Sequence, residues 1–214
     1  GKELSILRKR LQNFSALLFR EDTMLDFVRE NANVLVEQVL DPTLLLKPEE
    51  YSDITACMKE KRRPYILLYS RRYSKEMTVF ADKLARKHNL DVIDISLRAV
   101  NMWKHHMAYD AGVEEFLELI KNAEYVVTNS FHGMVFGLQF SKDLYVFGRE
   151  SAKKKIGVLL EKVGAGHRLL TSVPAELEKT AIDYKKVHEV LQKERMRSIE
   201  LLERAIKNAE ELYA

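Results

Sequence analysis

The sequence predicts an α/β fold: a Rossmann-like parallel sheet with flanking helices, followed by a long C-terminal helix. Three observations predict it. From residue 65 onward, short apolar runs alternate with stretches of helical spacing in the order β-α-β-α-β-α-β-α. The first of those runs, YILLYS at 65–70, has the apolar continuity of a buried strand. Residues 183–212 read as one long, highly charged helix that packs back across the domain.

The elements follow in order. Residues 2–13 place Leu4, Leu7 and Leu11 on one helical face. A short strand at Ala16–Phe19, a helix near Asp22–Glu30 and a strand at Val34–Leu40 come next. Asp41-Pro42 breaks that strand, and Lys47-Pro48-Glu49-Glu50 opens a new helix with proline in its first turn. Residues 41–48 are therefore the linker. Beyond YILLYS, the spacing predicts a helix over Lys75–Lys87 and a strand over 90–96. An irregular stretch carrying Trp103, His105 and His106 separates these from a helix over 112–123, whose apolar side is Phe116, Leu117 and Ile120. A strand over 124–130 runs directly into a helix over 131–140. A strand over 143–148 and a helix over Lys153–Val163 complete the alternation.

A chain of 214 residues can bury one full domain and part of another. A hydrophobic share of 46% argues against disorder. Basic and acidic residues nearly balance, 35 against 32, leaving a net +3. That is too slight for nucleic acid, which selects a concentrated basic stripe; an anionic small substrate needs only two or three placed cations. The lone Cys57 cannot form an internal disulfide and points to a reduced, cytoplasmic compartment. No apolar run reaches the roughly 18 residues of a membrane span. The opening GKELSILRKRLQNF is amphipathic and charged rather than signal-like, and reads like the middle of a protein.

The chemistry-bearing segment is TNSFHGMVFG at 128–137. Asn129 and Ser130 are favoured helix N-caps, placed where a strand ends and a helix begins. In a parallel sheet that junction lies at the carboxyl edge of the strands, where such folds bind ligands. His132 falls in the first helical turn, positioned to give or take a proton, and Gly133 leaves room for close approach of a ligand. The structural alternative is a histidine that serves only as a hydrogen-bonded residue. Arg149 follows the strand DLYVFG at another carboxyl edge, either as an anion ligand or paired with Glu150, and Tyr69 ends a strand where it could line the cleft. The Lys153–Lys155 run reads as a solvated helix start, and Phe116, Phe131, Phe136 and Phe140 read as core. His105 and His106 invite a metal reading, but no nearby Cys or carboxylate completes a ligand set at usual spacing. No metal and no cofactor is expected.

The stretch GVEEFLELIKNAEYVVTNSFHGMVFGLQFSKDLYVFGRE resembles the signature of the polysaccharide pyruvyl transferase family. The strand ending in Arg20-Glu21 is similar to the family's "SVRE" segment, and DPTLLL at 41–46 to its "DPtlLl" linker. KKKIGVLLEKVGAGHRLL extends the likeness, which with gaps covers roughly residues 16–170. SFHG alone is a weak motif; in this strand–helix setting with DPTLLL upstream it is specific. The resemblance implies a two-lobed, GT-B-like fold with substrates in a cleft between lobes. Residues 1–45 would be a remnant of the first lobe with its linker, and 46–214 the Rossmann-like second lobe with the long helix. The family's opening strand and glycine-rich turn are absent here, so activity of this chain alone is in question. Many members also carry an arginine before the histidine motif, where this chain has Ser130.

The resemblance further implies transfer of the enolpyruvyl unit of phosphoenolpyruvate onto sugar hydroxyls of a cell-surface polysaccharide or its lipid-linked precursor. Peripheral membrane association would come through that acceptor. His132 would be the general acid. Arg20 would hold the carboxylate or phosphate, since a planar guanidinium pairs two oxygens at once; the alternative is a surface salt bridge with Glu21 or Asp22. Asn129, Ser130 and the backbone around Gly133 would cradle the second anion, with Arg149 beside them. Two other functions stay open: a GT-B-type sugar-nucleotide glycosyltransferase, and a non-catalytic lone lobe acting as a binding module.

Overall fold

The computed structural model describes residues 2–55, 62–96, 99–148, 150–176 and 180–213. Cys57 and Arg149 lie outside them, as do the side chains of Lys153 and Lys154. The chain forms two compact units, residues 1–45 with 189–214, and residues 46–188.

In the first unit, helix α1 (Lys2–Leu11) and helix α2 (Leu25–Asn31) accompany strands β1 (Ala16–Phe19) and β2 (Leu35–Gln38), which pair in parallel from Ala16↔Leu35 to Phe19↔Gln38. Their core is Leu11, Leu25, Val28, Ala32 and Val36. A tight turn of 3-10 helix, Asp22–Met24, precedes α2. The closing helix, α8 (Tyr184–Tyr213), gives residues 189–213 to this unit. There Ser198 Oγ accepts from the backbone N–H of Leu40 at 2.9 Å, and the buried Arg195 donates from Nε to the carbonyl of Leu44 at 2.8 Å. Arg197 reaches the Gln38 carbonyl at 2.8 Å and Glu37 at 3.0 Å. The backbone leaving β2 thus finds its hydrogen bonds on a helix far along the chain.

The second unit is a six-stranded parallel sheet in the order β5-β4-β3-β6-β7-β8. The strands are β3 (Tyr65–Tyr69), β4 (Asp91–Ile95), β5 (His106–Met107), β6 (Tyr125–Thr128), β7 (Asp143–Phe147) and β8 (Leu169–Leu170). The α/β expectation and its alternation hold. The two-residue strands β5 and β8, which the sequence does not announce, extend the sheet at either edge. Side chains alternate across β3, as the pleat requires. Ile66 and Leu68 meet Met77, Phe80, Ala81 and Leu84 of α4 (Lys75–His88). Tyr65 and Tyr69 point to α5 (Val113–Asn122), the first donating its hydroxyl to the Leu119 carbonyl at 2.8 Å, the second packing edge-on against Phe116 at 4.8 Å. The sheet is therefore covered on both faces.

Local signals set the helix ends. Ser74 caps α4 by accepting from the N–H of Met77 at 3.2 Å, and Asn89 ends it in the left-handed region at φ 53°. Pro48–Tyr51 is a 3-10 turn that leads into the short α3 (Ser52–Thr55). Helix α6 (Phe131–Gln139) is buried from Gly133 onward, with Tyr51 set edge-on to Phe136 at 5.3 Å. Helix α7 (Glu150–Lys162) begins earlier than the spacing predicts. Arg168, buried at 2% exposure, closes the segment after it: it faces Asp143 at 2.8 Å, stacks over the Tyr145 ring at 4.6 Å and donates to the Thr180 carbonyl at 3.0 Å.

Candidate active site

The turn between β6 and α6 is built by three consecutive polar residues, all buried. Thr128 Oγ1 donates to the Tyr69 carbonyl at 2.8 Å and accepts from the N–H of Ser130 at 3.0 Å. Ser130, extended at φ −97° and ψ 137°, caps α6 by accepting from the N–H of Gly133 at 3.4 Å. Asn129 turns away from the helix to the neighbouring β3–α4 loop. Its Oδ1 accepts from the N–H of Arg71 at 2.9 Å, and its Nδ2 donates to the carbonyl of Arg72 at 2.7 Å. Ser70 Oγ donates to that same carbonyl at 2.7 Å.

Of the residues the sequence singles out here, His132 is exposed in the first turn of α6, at the carboxyl edge of the sheet. The neighbouring Phe131 is half-buried; its ring lies 5.7 Å from that of His132, and Lys155 Nζ stands 5.4 Å from its centroid. The space at Gly133 is occupied by the protein itself. A Cβ there would meet Thr128 Oγ1 at 2.5 Å and Tyr69 Cδ1 at 2.8 Å, so the glycine lets α6 settle onto β3 and β6. Tyr69 packs beneath that contact, against Phe116. Asn129 and Ser130 precede His132 in the turn, and their side chains bond backbone groups.

Arg20 belongs to the first unit. Its Nη1 bonds Asp41 Oδ2 at 2.7 Å and its Nη2 bonds Glu21 Oε1 at 2.9 Å. The salt-bridge alternative is thus realised with Glu21, and with Asp41 where Asp22 was the second option. Asp41, 4% exposed, also accepts from Thr43 N at 3.1 Å and Thr43 Oγ1 at 2.6 Å, which makes DPT a capped turn.

Sequence reasoning passed over Arg71 and Arg72. Both are exposed, directly beyond the carboxyl end of β3. The rule that selects Arg149, an arginine after a buried strand at the sheet's carboxyl edge, selects these two as well. It also passed over the convergence on His105. This buried ring places Nδ1 3.2 Å from Asp94 Oδ2 and Nε2 2.9 Å from Asp82 Oδ1, while Asn101 donates to Asp94 at 2.8 Å. Burial alone would lower its pKa; the hydrogen bonds to Asp94 and Asp82 outweigh that and raise it. A carboxylate oxygen at each nitrogen favours the protonated ring, in which both nitrogens donate. Among the described residues no group of three or more His, Cys, Asp and Glu has the disposition of a metal site.

A concavity of about 540 Å³ in the first unit, lined by Ser15, Asn33, Val34, Leu35, Asn208 and Glu211, contains no cationic side chain and does not suit an anionic donor. No helix among the described residues is long and apolar enough to cross a membrane.

A six-stranded parallel sheet covered by helices on both faces is a Rossmann-like architecture, and it carries an exposed histidine at a strand–helix junction. A family model, polysaccharide pyruvyl transferase, matches residues 1–151. The chain belongs to that family, a family of transferases. No curated protein and no solved structure matches it.

Proposed function

We propose that the chain transfers the enolpyruvyl unit of phosphoenolpyruvate to two hydroxyls of one sugar, giving a cyclic pyruvate ketal and inorganic phosphate. The observation that carries this reading is His132, solvent-accessible on the first turn of α6 in a chain of this family. Its imidazolium gives a proton to the methylene carbon of the donor, which becomes a methyl group. A sugar hydroxyl attacks the adjacent carbon as positive charge develops there, and releases its proton. The second hydroxyl then forms the other C–O bond as the C–O bond to phosphate breaks, and its proton leaves with the phosphate. Such a step needs a placed acid and cations for two anionic groups.

In this proposal Ser130 and the backbone at Gly133 flank the donor and Tyr69 shapes the floor, while Arg149 and Arg20 are further cations open to the substrates. For Arg20 that means exchanging Asp41 or Glu21 for a substrate. The acceptor is a cell-surface polysaccharide or its lipid-linked precursor, met on the cytoplasmic side with peripheral membrane contact through the acceptor.

The test is phosphate release from phosphoenolpyruvate by the full chain in the presence of diol-bearing sugars, with a nucleotide sugar as rival donor. Acceptor-dependent release, with a ketal methyl signal by NMR, supports the reading. Turnover of the nucleotide sugar alone overturns it in favour of glycosyl transfer.

A further inference from the structure

The Asn129 side chain does for the β3–α4 loop what a strand partner does for a strand: it bonds one N–H and one C=O of that backbone, at 2.9 and 2.7 Å. The amide is buried at 2% exposure, so these bonds are shielded from water. Register places the two ends together. Tyr69 pairs with Thr128, so the residues after each strand leave the same edge of adjacent strands about 4.8 Å apart. Asn129 ties the loop holding Arg71 and Arg72 to the turn that, three residues on, presents His132.

Arg71 and Arg72 share with Arg10 and Arg204 an exposed guanidinium that closes on no carboxylate among the described residues, but only these two stand at the carboxyl edge of the sheet. Arg20, Arg29, Arg62, Arg63, Arg168 and Arg197 each close on a carboxylate. Arg71 and Arg72 are exposed, and among the described residues neither guanidinium has a carboxylate partner. Their backbone is pinned by a buried side chain, so both guanidinium groups start from a fixed stretch of loop. An arrangement of this kind suits an anion, which a guanidinium fork binds through two parallel hydrogen bonds.

We propose that Arg71 and Arg72 hold the phosphate and carboxylate of the donor beside His132, and that Asn129 is the positioning residue that keeps them there. This assignment rests on the pyruvyl transfer reading for the identity of the donor, and on the loop geometry for the residues. Asn129 itself touches no substrate. Its amide is needed in the asparagine form, because aspartate keeps an acceptor for the N–H of Arg71 but sets a carboxylate oxygen against the carbonyl of Arg72.

Calorimetric titration of the full chain with phosphoenolpyruvate tests it, beside Arg71→Ala, Arg72→Ala, the double variant, Asn129→Ala and Asn129→Asp. Circular dichroism confirms that each variant is folded. Charge-assisted hydrogen bonds of this kind predict a roughly ten- to hundredfold loss for each arginine, and a steeper loss for the pair. Asn129→Ala and Asn129→Asp weaken donor binding with both arginines present, and the salt dependence of the binding that remains falls, since the cations no longer converge. A purely structural asparagine would lower the melting temperature and leave the salt dependence alone. Full donor binding by the folded double variant overturns the arginine assignment and leaves pyruvyl transfer standing. If the parent ignores phosphoenolpyruvate but binds inorganic phosphate, and the double variant does not, the anion site stands and the donor identity falls. If the parent binds neither, both fall.

Discussion

The hydroxyl of Thr128 occupies the space that a side chain at Gly133 would need: a Cβ there would stand 2.5 Å from Oγ1. That hydroxyl cannot swing aside cheaply, because it joins the Tyr69 carbonyl to the N–H of Ser130. Gly133→Ala is therefore expected to cost about 1–3 kcal/mol through overpacking. Gly137→Ala, whose Cβ would meet only the flexible end of Leu144 at 3.0 Å, should cost less. Urea melts of the two variants give the comparison; equal midpoints would show that the turn yields freely.

Because His132 is exposed, its loss should leave stability unchanged while removing chemistry. His132→Ala is expected to lower kcat by about a hundred- to ten-thousandfold at an unaltered melting temperature, the range for loss of a positioned acid. A rate within threefold of the parent would remove His132 from the mechanism.

The raised pKa of His105 makes stability depend on pH in a definite direction. Its pKa is raised in the folded chain, so its contribution is complete below the ordinary histidine value of about 6.5 and is lost as pH rises through the folded value. Asp82 acts oppositely. Burial would raise its pKa, but its hydrogen bonds to His105 and Lys104 prevail and lower it, so its contribution fades as pH falls below the usual carboxylate range. Urea midpoints against pH should form a plateau on the acid side of neutrality, and His105→Gln should lose the alkaline decline. Trp103, the chain's one tryptophan and 90% exposed two residues before His105, reports this segment rather than the core, so circular dichroism should follow the melts.

Arg195 is buried at 6% exposure and satisfies the carbonyl of Leu44. Arg195→Ala leaves that acceptor without its donor and should cost about 1–3 kcal/mol. Hydrogen exchange should quicken at residues 40–45 before it does in β3 or β6. Unaltered exchange there would show that water replaces the guanidinium at no cost.

Most of the fold was legible because β3, β4, β6 and β7 of the central sheet each carry their own apolar signature. Ala16–Phe19 is found at its observed bounds, and Ser130 marks a helix start by chemistry that is local. His106–Met107 and Leu169–Leu170 escape, since two residues cannot show a period. The turn carrying His132 was legible for the same local reason. The partners of Asn129 were not, because capping is a local rule and a bond to Arg71 crosses 58 positions. His105 was noticed, but its carboxylates lie 23 and 11 residues earlier, on α4 and β4, where no ligand-spacing pattern looks.

The first unit draws on both ends of the chain, with Leu40 bonded to Ser198 and Leu44 to Arg195. On the ribosome this reverses the usual order. Residues 46–188 have emerged in full while the backbone of 40–44 still waits for its helix. At synthesis rates of about 5–20 residues per second, the delay is on the order of ten to thirty seconds. Residues 40–44 wait for donors and acceptors made 151 to 158 positions later, and during that interval their backbone is open to a nascent-chain chaperone.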